Sequence, residues 1–224
     1  MVSCGRPEER PNIITVAWAG TVCSSPAMVS ISVRKERYSY DILKETGEFV
    51  INLITRDLTY ATDFCGVRSG RDVDKFAQMH LTPLPSQHIS APGIAESPVN
   101  LECKVTQVIP LGSHDMFLAE VLGVTVDEKY MDENGKFHLN DAGLVAYSHG
   151  EYFELGEKLG KFGYSVAKKQ AAKTESVTKS AKPSGAGKKA ASAENRTASK
   201  TEAGNRRKSA SKTGSADKQK SRRK

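Results

Sequence analysis

The chain has 224 residues and a formal net charge of +7, but the charge is unevenly placed: 15 Lys and Arg stand against 22 Asp and Glu up to Ser165, and 18 against 4 beyond it. No apolar run approaches the roughly 18 residues of a membrane-spanning helix, and the opening MVSCGRPEERP holds no apolar stretch of signal-peptide length. These features point to a soluble cytoplasmic protein: a mildly acidic domain over residues 1–167, long enough to bury a core, and a basic tail over 168–224.

In chain order, Gly5–Arg10 reads as a polar turn and Asn12–Trp18 as a strand. Ala19–Pro26 has small side chains and many hydroxyls and reads as a loop that a flat ligand could approach closely. Met28–Val33 is a second strand, with Ser30, Ser32 and Arg34 on one face and Val29, Ile31 and Val33 on the other. Arg34, Lys35 and Arg37 then form a basic elbow ahead of a helical pattern at Tyr40–Thr46, with Ser39 as its N-cap and Gly47 as its stop. Cations beside a helix N-terminus suit a phosphate group; a solvated charge run is the alternative.

Glu48–Ile54 reads as a strand, Leu58–Phe64 as a short helix and Gly66–Asp74 as a polar loop. Pro83–Pro98 holds four prolines, which predicts a surface course without regular structure. Val99–Ile109 and Met116–Val126 form an antiparallel hairpin, Glu133-Asn134-Gly135 a turn, and Leu144–Leu155 a last strand. Many short strands with few, short helices indicate a mainly β barrel rather than alternating β and α units. From about Lys168 the sequence has almost no large apolar residue, so it cannot offset ordering entropy and is predicted to be disordered.

Cys4, Cys23, Cys65 and Cys103 are widely spaced, without a CxxC pair, and read as free thiols of a reducing compartment. The histidines (His80, His88, His114, His138 and His149) show no metal-ligand pairing, and nothing marks a nucleophile elbow. The absence of G-x-G-x-x-G and G-x-x-x-x-G-K-[ST] excludes a Rossmann turn or P-loop as the means of holding a nucleotide. The tail suits weak contact with nucleic acid or an anionic surface through counterion release. It lacks aromatics for base stacking, and a solubilising extension is the alternative.

The run N-I-I-T-V-A-W-A-G-T-V-C-S-S-P from Asn12, followed by S-I-S-V-R-K-E-R-Y-S-Y from Ser30, closely resembles the flavin reductase-like proteins, especially their flavoredoxin branch. The resemblance continues through Glu48–Leu53 and Ser69–Phe76 and ends near Gly160–Ser165. It implies an FMN-binding split β-barrel with a few short helices, working as a homodimer. By the same resemblance, Trp18, Thr21, Cys23, Ser24 and Ser25 would lie along the isoalloxazine and ribityl chain. Ser32, Arg34, Lys35, Arg37, Tyr38 and Ser39 would surround the FMN phosphate, and Lys161 and Gly163 would lie back against the flavin. Ser69–Phe76 is expected near the flavin or the dimer seam. The family begins with a longer apolar strand, of which Met1–Cys4 reads as the tail; the barrel is then short by most of one strand, or the chain starts upstream.

The function implied is that of an FMN-dependent oxidoreductase taking hydride from NADH or NADPH for an unidentified acceptor. No side chain is required as a general acid or base, since the flavin carries the chemistry. The alternatives are a non-enzymatic FMN electron carrier and a nucleic-acid-binding protein acting through the tail.

Overall fold

The computed structural model describes residues 1–167; the segment read as a disordered tail lies outside the described residues. The strands are β1 (Val2–Cys4), β2 (Asn12–Ile14), β3 (Ala19–Ser24), β4 (Ala27–Arg34), β5 (Glu48–Asn52), β6 (Pro83–Leu84), β7 (Gly93–Ile94), β8 (Val99–Pro110), β9 (His114–Val126), β10 (Val145–Ser148) and β11 (Glu151–Glu154). The helices are α1 (Tyr38–Thr46), α2 (Thr59–Val67) and α3 (Lys75–Gln78).

Seven strands form one antiparallel sheet in the order β2-β1-β5-β8-β9-β4-β3. Its two edge strands, β2 and β3, are neighbours in sequence, joined by Thr15–Trp18. The barrel is therefore split at that short segment. The long β8–β9 hairpin shifts register twice, at Glu102/Cys103 and at Val105/Gln107. Such bulges bend a strand and increase its twist, which curves the sheet round its core.

The alternation in β4 is realised: Val29, Ile31 and Val33 are buried, while Ser30 and Ser32 are half-buried. Val29 pairs with Ala119 and Ile31 with Phe117 across the β4–β9 register, inside a core that also holds Leu43, Phe49 and Cys103. Burying each large apolar side chain stabilises by about 1.5–3 kcal/mol. On the other side of the sheet, Ile13, Leu58, Cys65, Phe76 and Ile94 form a second cluster, which seats α2 and α3.

Several elements depart from the sequence expectations. The strand predicted over Asn12–Trp18 stops at Ile14, because its partner β1 pairs only as far as Val2. The predicted loop Ala19–Pro26 is instead the exposed edge strand β3, turning at Ser25-Pro26 into β4. A strand with neither face buried needs no apolar alternation, so small hydroxyl side chains disguised it. Helix α1 begins at Tyr38, so Ser39 lies inside it; its buried hydroxyl accepts a hydrogen bond from Asn12 Nδ2 at 2.7 Å instead of capping the helix. Gly47 does end α1, at φ +64°, with its N–H donating to the Leu43 carbonyl.

Within Pro83–Pro98, β6 pairs with β7 and the run Ala91–Ile94 is buried. Polar side chains satisfy its backbone: Asn52 and Asn100 accept from the Ile94 N–H, and the Glu102 carboxylate accepts from Gln87 and His88. The strand predicted over Leu144–Leu155 is a hairpin, β10–β11, turning at His149 and Gly150 with φ of +51° and +90°.

Candidate functional site

The split at Thr15–Trp18 opens cavities. One, of about 370 Å³, lies against Ile14–Trp18, Ser32–Arg34, Arg37 and His114. A second, of about 350 Å³, is lined by Ile14, Arg34, Glu36, Arg37, Tyr38 and the loop Arg68–Arg71. Ile14, Arg34 and Arg37 line both, so the two guanidiniums stand at the junction. Across Thr15–Ala17 lies a third cavity of about 300 Å³, bounded by Met1, Ile54, Val67, Tyr147 and Tyr152.

Three neighbours fix the elbow. Arg34 Nη1 pairs with Glu36 Oε1 at 2.9 Å, and Arg37 Nη1 donates to the Gly66 carbonyl at 3.2 Å. The Glu36 carboxyl sits below its ordinary range, first through its own backbone N–H and then through Arg34 and Arg37. Lys35 is turned elsewhere: its ammonium is 3.4 Å from Asp115 Oδ1. Asp115 also accepts from the Tyr40 hydroxyl at 2.6 Å, and that bond, followed by Lys35, holds its carboxyl low. Of the three basic residues marked by sequence, the structure brings two together and ties the third to β9.

Two arginines without an assigned role join Arg34 and Arg37. Arg68 and Arg71 reach the second cavity on a loop pinned against the elbow. Arg71 lies 5.6 Å above the Tyr38 ring and donates to the Glu36 carbonyl at 3.1 Å. A side chain at Gly70 would collide with Asn12 and Tyr38, and Arg10 donates to the Gly70 carbonyl. The glycine thus permits the close approach. The sequence marked a polar loop over Gly66–Asp74, and the resemblance over Ser69–Phe76 placed Arg71 near the flavin or the dimer seam, but neither gave Arg68 a role.

Lys75 stabilises the wall behind. It is 3% exposed, and its ammonium donates to the carbonyls of Ile13 at 2.7 Å and Cys65 at 2.8 Å. Burial is the main cause that lowers its pKa. The residues that follow those carbonyls, Ile14 and Gly66, border the cavities. Thr15 Oγ1 donates to the Thr62 carbonyl, tying the split segment to α2 as well.

Of the remaining predicted residues, only Trp18 shares a cavity with the elbow. Trp18 lines the first cavity and is 67% exposed. Thr21, Cys23 and Ser24 are exposed on β3, and Ser25 is exposed at its turn; none lines the three cavities. Lys161 and Gly163 are exposed and border a separate hollow against Lys136–Asp141. Among the described residues, no group of three or more His, Cys, Asp or Glu could hold a metal ion, and no helix is long and apolar enough to cross a membrane.

The family model for the flavin reductase like domain matches residues 1–156. The chain belongs to this flavin reductase-like family. Its fold is the family's split barrel, mainly β with a few short helices. Flavoredoxin of Desulfovibrio vulgaris (Miyazaki F) superposes with a TM-score of 0.69 at 34% identity, over 74% of this chain and 90% of that one. An FMN-binding protein from Thermus thermophilus, at 24% identity, shares the fold with a TM-score of 0.60, over 71% of this chain and 86% of that one. An uncharacterized protein of Archaeoglobus fulgidus is 32% identical over 145 residues, which is 65% of this chain and 81% of its own. The flavin reductase-like match includes the β10–β11 hairpin and ends before the segment that carries Lys161 and Gly163.

Proposed function

We propose that this chain is an FMN-binding oxidoreductase that accepts hydride from NADH or NADPH and passes electrons to a further acceptor. The observation that carries the reading is the junction of two cavities at the barrel split, flanked by Arg34 and Arg37. The residues fit an anionic flavin. Ile14–Trp18 border the cavity, and Arg34 and Arg37, which line it as well, are suited to a phosphate. The likeness to flavoredoxin and to an FMN-binding protein supports the same cofactor.

When bound, FMN supplies the redox chemistry. The chain's own residues bind and orient. Arg34 and Arg37 would hold the phosphate, with Ser32 beside them, and Ile14–Trp18 would line the space for the ring. Lys35, drawn to Asp115, takes no part in this reading, and neither does the buried Ser39 hydroxyl. Strand β3 is exposed along its whole length with Thr21, Cys23 and Ser24 on it. That exposed edge is the surface on which a second copy would pair in a homodimer.

An absorbance spectrum of the gently purified protein tests the reading, with roughly one FMN per subunit expected. A colourless protein that cannot be reconstituted with FMN would sink it. Steady-state oxidation of NADH or NADPH with free flavin as acceptor then separates an enzyme from a carrier, which would hold FMN but show no turnover.

A further inference from the structure

We propose that the arginine-lined cavity beside Tyr38 takes a second phosphoryl group of a bound nucleotide, in addition to the one held between Arg34 and Arg37. This rests on the flavin reading above.

The first argument is the order of the groups. Arg34 and Arg37 line both cavities, whereas Arg68 and Arg71 line only the outer one. A ligand that lies along Ile14–Trp18 and places its phosphate at the junction still faces an open chamber of about 350 Å³, within the size range of small-ligand sites.

The second argument is charge. The outer cavity has four arginines and one carboxylate, Glu36, whose Oε1 is taken by Arg34. With Glu36 set against Arg34, the cavity keeps a formal charge of +3, and one phosphate monoester of about −1.5 to −2 at neutral pH leaves at least one positive charge unmatched. Among the described residues the Arg68 guanidinium has no hydrogen-bond or ion-pair partner, while Arg71 is held in place by Tyr38 and the Glu36 carbonyl.

The third argument is order within the loop. A solvated charge run needs no fixed path. Here Gly70 packs where no side chain fits, Arg10 donates to its carbonyl, and the Ser69 hydroxyl accepts from the Arg71 N–H at 3.2 Å. The loop backbone and the Arg71 guanidinium are preorganised beside the cavity, which reduces the ordering cost of binding.

Two nucleotides offer that second group: the pyrophosphate of a flavin dinucleotide, or the 2′-phosphate of NADPH. Arg68→Ala, Arg71→Ala and the double variant, set beside Arg37→Ala, distinguish them by calorimetric titration with riboflavin, FMN, FAD, NAD⁺ and NADP⁺. The wild-type protein and all variants should bind riboflavin alike, which also shows that they are folded. Arg37→Ala should weaken FMN. The loop variants should leave FMN within about twofold and weaken either FAD or NADP⁺ by roughly tenfold to a hundredfold, the loss of a charge-assisted hydrogen bond. Loss confined to FAD assigns the cavity to the flavin's pyrophosphate, and loss confined to NADP⁺ over NAD⁺ assigns it to the 2′-phosphate. An equal loss of FMN in the loop variants means that four arginines serve one phosphate, and overturns the proposal while leaving the flavin reading intact. Unchanged FAD and NADP⁺ in the loop variants overturns it too. A wild-type protein that binds no flavin overturns both.

Discussion

The Lys75 ammonium donates to the Ile13 carbonyl at 2.7 Å, joining α3 to the edge strand β2 across 62 positions of sequence. Its second bond, to the Cys65 carbonyl, reaches the last turn of α2. A sheet edge offers unpaired backbone groups, and a buried one must be satisfied. Here a lysine does this where another strand would in a closed barrel.

Lys75→Met should therefore destabilise the domain. It removes a costly buried charge but orphans two carbonyls, and a buried acceptor left unpaired costs about 1–3 kcal/mol. The denaturant midpoint should fall, and FMN and riboflavin affinities should drop together, because the wall at Ile14–Ala17 moves. An unchanged midpoint would mean that the desolvation of Lys75 balances its bonds.

The elbow residues should behave unequally. Lys35→Ala should leave FMN affinity unchanged, since that ammonium faces Asp115. Arg37→Ala should weaken FMN by about tenfold to a hundredfold and leave riboflavin, which lacks the phosphate, unaffected. Titrating both variants with both flavins checks this, and a loss in Lys35→Ala equal to that in Arg37→Ala would refute the assignment.

Alkaline pH should weaken the fold through its buried thiols. Burial pushes Cys4 and Cys103 up to about 12 and Cys65 to about 11, against an ordinary value of 9.0. Above pH 9 the unfolded chain loses protons that the folded one keeps, so stability is full below about 9 and is lost as pH rises toward 11–12. Lys75 acts the other way, since its lowered pKa makes the fold gain as pH climbs toward 10.5, but it is one group against three. Denaturant midpoints across pH 8–11 should fall, and Cys103→Ala should reduce the slope.

Thiol labelling should be selective. Cys23 is exposed, while Cys4, Cys65 and Cys103 are buried. A thiol reagent should modify one group per chain in the native protein and four after denaturation. Fast native reaction of two or more would show that the core opens readily.

If β3 is the seam between two copies, Val22→Glu should shift the protein to monomer in sedimentation and lower FMN affinity as well. Val22 is 50% exposed on that strand, so a fold defect in the monomer is not expected. A stable dimer in this variant would place the seam elsewhere.

Much of the architecture was present in the sequence. Period-two burial marked β4, the β8–β9 hairpin was bounded by its turn residues, Gly47 ended α1, and the Asn12–Tyr40 pattern named the family. Each of these signals is local, or is a string of neighbouring residues. What escaped depended on contacts between distant positions. An edge strand exposed on both faces has no apolar rhythm, so β3 looked like a loop. A lysine buried against two carbonyls reads like any surface lysine, and Ser39 resembled a cap because the Asn12 amide that claims it lies 27 positions away. Lys35 and Arg37 are equivalent as letters, and only Asp115, 80 positions further on, separates them. The arginines that complete the outer cavity come from two segments more than 30 residues apart, brought together because Gly70 lets one backbone close onto the other. Local patterning and turn residues determined the class of fold, and long-range packing decided which charges face the same space.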